Sequence, residues 1–362
     1  MPNSSSVPSI IDVIRSVMKP PPAFVELVNH WPIVRDDAEL DANCRWLSFV
    51  IGFNDLKAEV LEDIVRGRRD ESQFAGLLGA SSGDKISIDE INIEGRDGQS
   101  IAARLYRPKA LAKRAPLLVF FHGGGWVYGS LETHGGTAEK LAVSAEAVVL
   151  SVDYRLAPEH AWPAGMNDCV DAFRWAATNA DELDIDPERI AVGGDSAGGN
   201  LAAVATHELR DDDCVPCFQL LVYPVCDISK DSESYEKFSE GFLLSRADMH
   251  WFRDRYTRSP EHWADPRVSP LLAEDFSGLP RAHVVTAGFD PLRDEGQAYA
   301  EQLRQAGVEV SEQRCAHYVH GFLSLSQMIP GSDQAINEIC DALKAGLNNQ
   351  PWDAADSRKK TS

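Results

Sequence analysis

Apolar positions along the 362-residue chain fall into two regimes. Up to about residue 75 they recur at helical spacing. Ile10, Ile11, Ile14, Val17 and Met18 share one face, with Ser9 placed to cap it. Leu40, Cys44, Leu47 and Ile51 repeat the pattern, as do Val60, Leu61, Ile64 and Val65. The Pro20-Pro21-Pro22 run is expected to break these pieces, and the segment has little strand character. After Ser81-Ser82-Gly83 the pattern changes. Ile91–Ile93 and Ile101–Tyr106 flank the polar Gly95–Gln99 stretch, which predicts a β-hairpin. Short apolar runs at 117–121, 148–152, 190–192, 220–223 and 283–286 read as buried strands, with a last strand at 308–313. Helical patterns at 135–145, 166–179, 197–209 and 292–305 separate them, and 333–347 closes the series. This alternation predicts an α/β chain whose mostly parallel central sheet is flanked by helices on both faces.

Residues 227–263 break the rhythm. They are polar at first, then carry Phe242, Leu243, Leu244, Met249, Trp251, Phe252 and Tyr256, and are too long for a simple connection. A helical insertion over the sheet is expected. The expected organisation is a helical segment over 1–80, a core in two parts (81–226 and 264–348) around the 227–263 insertion, and a frayed tail over 349–362.

Charge narrows the partners. Against 35 Lys and Arg stand 56 Asp and Glu, a formal net charge of −21. Nucleic acid and anionic membrane are therefore poor partners. No apolar run approaches the ~18 residues of a membrane span, and the N-terminus does not read as a signal peptide. Seven scattered cysteines (44, 169, 214, 217, 226, 315 and 340) read as reduced thiols, so a cytoplasmic location is expected. Cys214-Val-Pro-Cys217 lacks a thioredoxin-like context.

Gly194-Asp-Ser-Ala-Gly198 matches G-x-S-x-G, a pattern that chance supplies in about one chain in ten. Context adds weight: the predicted strand 190–192 precedes it and an Ala-rich helix follows. Such a strand-to-helix turn projects a serine hydroxyl above a sheet. The same glycines fail the dinucleotide fingerprint, because its third position is Asp195, and Gly123–Gly129 fails by one residue. Phe121-His-Gly-Gly-Gly-Trp126 follows another apolar strand. Its glycines bring backbone N–H groups close to a substrate, as a tetrahedral oxyanion requires, and His122-Gly-Gly-Gly matches the oxyanion-loop motif of esterases and lipases.

Five motifs in order carry a resemblance: His122–Trp126, Asp153-Tyr-Arg-Leu-Ala-Pro-Glu159, Gly194–Asn200, Asp290-Pro-Leu-Arg-Asp-Glu295 and His320-Gly-Phe322. Over about residues 91–325 the chain resembles the hormone-sensitive-lipase-like (bacterial family IV) carboxylesterases of the α/β-hydrolase fold. The resemblance implies Ser196 as nucleophile, Asp290 as acid and His320 as base, in the chain order of α/β-hydrolases. It implies oxyanion donors at the N–H groups of Gly124, Gly125 and Ala197, with Gly123 as the neighbouring alternative. Asp153–Glu159 is expected to brace the oxyanion loop through Arg155 and neighbouring polar groups, as structural support. The N-terminal segment and 227–263 would form a helical cap, and Trp126, Phe242, Leu243, Trp251 and Phe252 are candidate lining for a substrate pocket. Asp294, Glu295 and His317 compete for triad roles. His317 and His320 fall short of a metal-ligand set, so neither metal nor organic cofactor is expected.

The implied activity is hydrolysis of small, short- to medium-chain acyl esters through an acyl-enzyme. An amidase or other acyl hydrolase with the same triad is the alternative. A ligand receptor on the same fold would be expected to lack a triad member, and here all three are present. A homodimer is compatible with the family.

Overall fold

The computed structural model describes residues 19–53, 63–74 and 83–351. The helical face expected over residues 9–18, the positions Val60 and Leu61, and nearly all of the expected tail lie outside them. Three helices come first: α1 (Pro22–His30), α2 (Ala42–Phe53) and α3 (Ile64–Phe74). The proline run starts a helix where a break was expected. Pro22 occupies its first position, where the missing N–H costs nothing and the fixed φ is already helical. Leu40, Cys44 and Leu47 are buried as their spacing predicts.

Between α1 and α2 lies a two-residue hairpin, β1 (Val34–Arg35) with β2 (Ala38–Glu39), that the pattern did not show. Its turn is Asp36-Asp37, both at positive φ (51° and 64°), a tight-turn geometry more often signalled by glycine. Asp36 is held there by ion pairs to Lys237 and to Arg293 (2.7 Å).

Eight further strands form one sheet. They are β3 (Ile86–Glu94), β4 (Ser100–Pro108), β5 (Ala115–Phe121), β6 (Val148–Asp153), β7 (Ile185–Asp195), β8 (Phe218–Val222), β9 (Arg281–Phe289) and β10 (Val310–Val319). Their order is β10-β9-β8-β7-β5-β6-β4-β3. The predicted hairpin is the antiparallel β3–β4 pair, β4 joins β6 antiparallel, and all other pairs are parallel. All seven residues of β5 and all five of β8 are buried, which is why β5 reads as an unbroken apolar run and β8 as one from Leu220 onward; Gln219 is its polar exception, with Nε2 donating to Pro280 O. Leu117, Val119 and Phe121 face one apolar cluster, and Leu118 and Phe120 face the other. Strand β10 runs to Val319, six residues past its apolar signal, because an edge strand does not bury every position.

Helices cover both faces. α5 (Ala164–Thr178), α6 (Ala197–Glu208) and α9 (Arg293–Gln305) pack on the first cluster, and α4 (Gly135–Ala145) and α10 (Asp333–Leu347) on the second. Residues 227–263 fold as α7 (Glu233–Lys237), α8 (Arg246–Thr257) and a 3-10 turn at Pro260–His262. A reciprocal capping box starts α8, with Asp248 N–H donating to Ser245 Oγ and Ser245 N–H to the Asp248 carboxylate. Among the described residues no helix is long and apolar enough to cross a membrane.

This topology has a switch point at β5. The chain leaves β5 for β6 on one side, then crosses to β7 on the other. Crevices at the carboxyl ends of strands beside such a reversal are where open α/β sheets hold ligands.

Burial also sets a pH response. His283 on β9 is buried, with Ser311 Oγ and Gln313 Oε1 on its ring nitrogens, and desolvation lowers its pKa to about 4. His207 is lowered to about 4 by burial and then Arg210, and His122 to about 3 by burial and then His134. Between the ordinary histidine pKa and these values the unfolded chain binds the extra proton, so each group withdraws stability as pH falls. In urea unfolding, His283→Gln is expected to gain relative to the parent as pH falls from 7 to 4.5. A stability difference that stays constant over that range would refute this.

Candidate active site

The site begins with a constraint on β7. Gly193 and Gly194 sit between β5 and β8, in register with Phe120 and Phe121 on one side and Leu220 and Leu221 on the other. The strand then turns sharply at Ser196, whose backbone is at φ 57°, ψ −121°. A non-glycine residue there is strained, and the surroundings hold it. Ser196 N–H donates to Val222 O (2.9 Å), and its carbonyl accepts from Asn200 N–H (3.0 Å) and Val225 N–H (3.3 Å). A Cβ on Gly194 would lie 2.4 Å from Phe121 O, and one on Gly198 only 1.9 Å from the same oxygen. The G-x-S-x-G glycines are thus space requirements of this turn.

His320, just past β10, brings Nε2 to 2.7 Å from Ser196 Oγ. Its Nδ1 lies 2.8 Å from Asp290 Oδ2, just past β9. A carboxylate only accepts, so Nδ1 carries the hydrogen and Nε2 is free to accept from the serine hydroxyl. Asp290 is fully buried, and its Oδ1 takes Leu292 N–H (2.9 Å). The His320 ring rests on Tyr223 (4.6 Å between centroids), which in turn meets Phe322. Three residues separated by up to 124 positions thus form one hydrogen-bonded chain.

The competing residues are occupied elsewhere. Asp294 accepts from Ser234 N–H and Arg293 Nε. Glu295 is buried, and its Oε1 accepts the N–H groups of Cys226 (2.7 Å) and Asp227 (3.4 Å). His317 Nδ1 lies 2.8 Å from Glu39 O. A cavity of about 300 Å3 opens beside His317, between the first two helices and β10, and its lining includes none of Ser196, Asp290 and His320. Among the described residues no group of three or more His, Cys, Asp or Glu is placed to hold a metal ion.

The loop after β5 stands beside the serine. Gly123 N–H donates to Asp195 Oδ1 (3.0 Å), which ties the loop to the residue before Ser196. Gly124, Gly125 and Trp126 all have positive φ (116°, 60° and 61°), and Gly124 O accepts from Val127 N–H and Tyr128 N–H. Among the described residues the N–H groups of Gly124, Gly125 and Ala197 have no hydrogen-bond partner. Ala197 is the first residue of α6, where an N–H has no intrahelical acceptor and the helix dipole is positive.

The 153–159 segment braces this loop as expected, but not through Arg155. Arg155 points to α5, where Nε and Nη2 bond Asp168 at 2.7–3.1 Å, and it does not reach the loop. Asp168 is fully buried and demands a cation, so the nearest guanidinium goes there. The 153–159 segment braces the loop through other groups: Tyr154 OH donates to His122 O (2.8 Å) and Ala157 N–H to Trp126 O (2.9 Å). Tyr154 also stacks on His122 at 4.4 Å.

The candidate pocket residues separate into two groups. Phe252 of α8 lies against the loop, since a Cβ on Gly125 would be 2.3 Å from its ring. Trp251 neighbours Tyr128 and carries the Arg255 guanidinium on its face, while Trp126 is buried and stacked on Tyr256 at 4.3 Å. Phe242 instead packs with Phe238 and Phe289 in the core, and Leu243 lies against the same cluster.

A second carboxylate–histidine pair lies behind the serine, and sequence reasoning missed it. His134 Nε2 is 3.4 Å from Asp195 Oδ1, and both residues are buried. Burial disfavours charge on each, but their mutual attraction outweighs it, raising the His134 pKa and lowering that of Asp195. Asp195 occupies the variable position of G-x-S-x-G and His134 lies in no motif, so no local signal marks them.

The alpha/beta hydrolase fold family matches residues 118–324. The chain is 42% identical over 328 residues to carboxylic ester hydrolase LipN of Mycobacterium tuberculosis, spanning 87% of this chain and 85% of that protein. It is 41% identical over 270 residues to carboxylesterase NlhH of the same species, spanning 73% and 84%. Among solved structures, EstE1, a thermostable carboxylesterase from a metagenomic library, aligns with a TM-score of 0.75 at 40% identity, covering 80% of this chain and 98% of that one. A variant of esterase rPPE reaches 0.80 at 34% identity, covering 85% and 98%. By its fold and by these likenesses, the chain belongs to the hormone-sensitive-lipase-like carboxylesterases of the α/β-hydrolase superfamily.

Proposed function

We propose that this carboxylic ester hydrolase works through Ser196, His320 and Asp290 on short- to medium-chain acyl esters. The observation that carries the reading is the unbroken hydrogen-bonded chain from Asp290 through His320 to the Ser196 hydroxyl. His320 Nε2 takes the hydroxyl proton as Ser196 Oγ attacks the ester carbonyl, and Asp290 stabilises the imidazolium that forms. The carbonyl oxygen becomes an oxyanion received by the N–H groups of Gly124, Gly125 and Ala197. The tetrahedral intermediate collapses, His320 returns the proton to the leaving alcohol, and an acyl-Ser196 ester remains. Water, deprotonated by the same imidazole, attacks that ester and releases the acid with Ser196 restored.

The N-terminal helices together with 227–263 act as a cap over this site, with Trp126, Trp251 and Phe252 as the aromatic wall and Phe242 and Leu243 supporting it from the core. The contact of Phe252 with Gly125 supports a preference for short acyl groups, because it confines the space beside the loop. Seven free cysteines, five of them buried, support a reducing compartment.

Three measurements test this reading. In a p-nitrophenyl ester series from acetyl to palmitoyl, turnover is expected to peak at short chains. Ser196→Ala is expected to lose about 10⁴–10⁶-fold in kcat while staying folded; near-parental turnover would sink the assignment. Asp290→Asn keeps the shape but favours the wrong histidine tautomer, and kcat is expected to drop by about 10⁴. A loss confined to KM would count against Asp290 as the orienting acid.

A further inference from the structure

We propose that Arg68 and Glu71, on the N-terminal helix α3, are positioning residues for ester hydrolysis that clamp the outer side of the oxyanion loop. The inference rests on the reading that Gly124 and Gly125 receive the oxyanion.

Two further backbone groups of the loop, the carbonyl of Val127 and the N–H of Gly129, find no partner within it. Helix α3 supplies one donor and one acceptor from residues a single turn apart, which therefore share a face. Arg68 Nε donates to Val127 O at 2.7 Å, and Glu71 Oε2 accepts Gly129 N–H at 3.0 Å. The rest of the guanidinium ties the loop to its brace. Nη2 donates to Ala157 O (2.7 Å), whose own N–H holds Trp126 O, and both Nη atoms bond the Glu159 carboxylate (3.0–3.1 Å). A planar fork with five donors can hold three acceptors in fixed directions, which a point charge cannot do.

The clamp is mechanically close to the donors. A Cβ on Gly129 would meet both Gly123 O and His122 Nδ1 at 2.3 Å, so the turn that Glu71 grips rests directly on the stem of the loop. A shift of Gly129 is thus passed on to His122 and Gly123, and through Gly123 to Asp195. The apolar attachment of α3 is thin, with Ile64 packed against the core cluster while Val65 is exposed. Its polar face addresses the loop and the 157–159 segment.

The test compares Arg68→Met, Arg68→Lys, Glu71→Ala and Glu71→Gln with the parent enzyme on p-nitrophenyl acetate and butyrate, with urea unfolding alongside. Loss of the clamp is expected to lower kcat about 10–100-fold, the effect of misplacing a reacting group by up to an ångström, with KM within about twofold. Phosphonylation of Ser196 by a p-nitrophenyl phosphonate is expected to slow in parallel, because it develops charge on the same donors. Glu71→Gln keeps an acceptor for Gly129 N–H and is expected to restore most of the rate lost in Glu71→Ala. Arg68→Lys is expected to restore only part of the rate lost in Arg68→Met. The Glu71 pair leaves the Arg68 contacts in place and decides the matter if Arg68→Met does not fold. Unchanged kcat in folded variants, a loss that merely follows the folded fraction, or Glu71→Gln as slow as Glu71→Ala would each overturn the proposal. Ser196→Ala run in parallel separates the failures: activity there sinks the triad reading, whereas an inactive Ser196→Ala beside a fully active Glu71→Ala sinks the clamp alone.

Discussion

The structure depends most on one unfavourable conformation, Ser196 held at positive φ at the end of a buried parallel strand. A residue with a side chain does not rest there unaided, and the cost is of order 1–3 kcal/mol. The neighbouring strands over-determine it. β8 accepts its N–H at Val222, α6 and the β8 exit grip its carbonyl, and β5 approaches so closely that Gly194 and Gly198 can carry no side chain. Order along the sheet therefore precedes chemistry. Only because β5 and β7 are neighbours across a topological reversal do the glycine-rich loop and the serine emerge side by side.

That dependence explains which features were legible in the chain. Runs such as Leu117–Phe121 and Leu220–Tyr223 announce central strands because both sheet faces are covered, so most positions are apolar and a buried polar one such as Gln219 needs a partner, here Pro280 O. Gly194 and Gly198 announce the turn because β5, through Phe121 O, comes so close to both positions that neither can carry a Cβ. Ser196, Asp290 and His320 sit in short motifs at strand ends, and their expected positions coincide with the hydrogen-bonded chain that the fold assembles.

Other features were hidden because their logic is non-local and polar. Arg155 looked like the brace of the oxyanion loop by proximity in sequence, but a buried carboxylate on α5 outbids a loop carbonyl for a guanidinium. The brace comes from Tyr154 and Ala157, and from Arg68 and Glu71, which lie 58–91 positions from their partners. A charged helix face such as Arg66–Gln73 has no periodic signal that separates a solvated surface from a clamp. The Asp36-Asp37 turn was missed for a related reason, since ion pairs to distant residues hold a backbone for which glycine would be the local cue.

The two carboxylate–histidine pairs flanking Ser196 divide their work by environment. His320, held by Asp290, presents one ring nitrogen to the serine, and the proposed mechanism moves a proton across that contact. Asp195 and His134 are both sealed in the interior, and the shifts of their pKa values in opposite directions favour a resident ion pair. That pairing resolves an electrostatic conflict. Asp195 must stay ionised to hold Gly123 N–H strongly, yet an uncompensated carboxylate next to Ser196 would oppose any negative charge developing at Gly124 and Gly125. His134 at 3.4 Å, its pKa raised despite burial by the Asp195 charge, offsets part of that field while the acceptor keeps its strength. The loop after β5 is thus anchored from within by Asp195 and from outside by residues of α3, and the proposed mechanism puts the developing charge at its N–H groups.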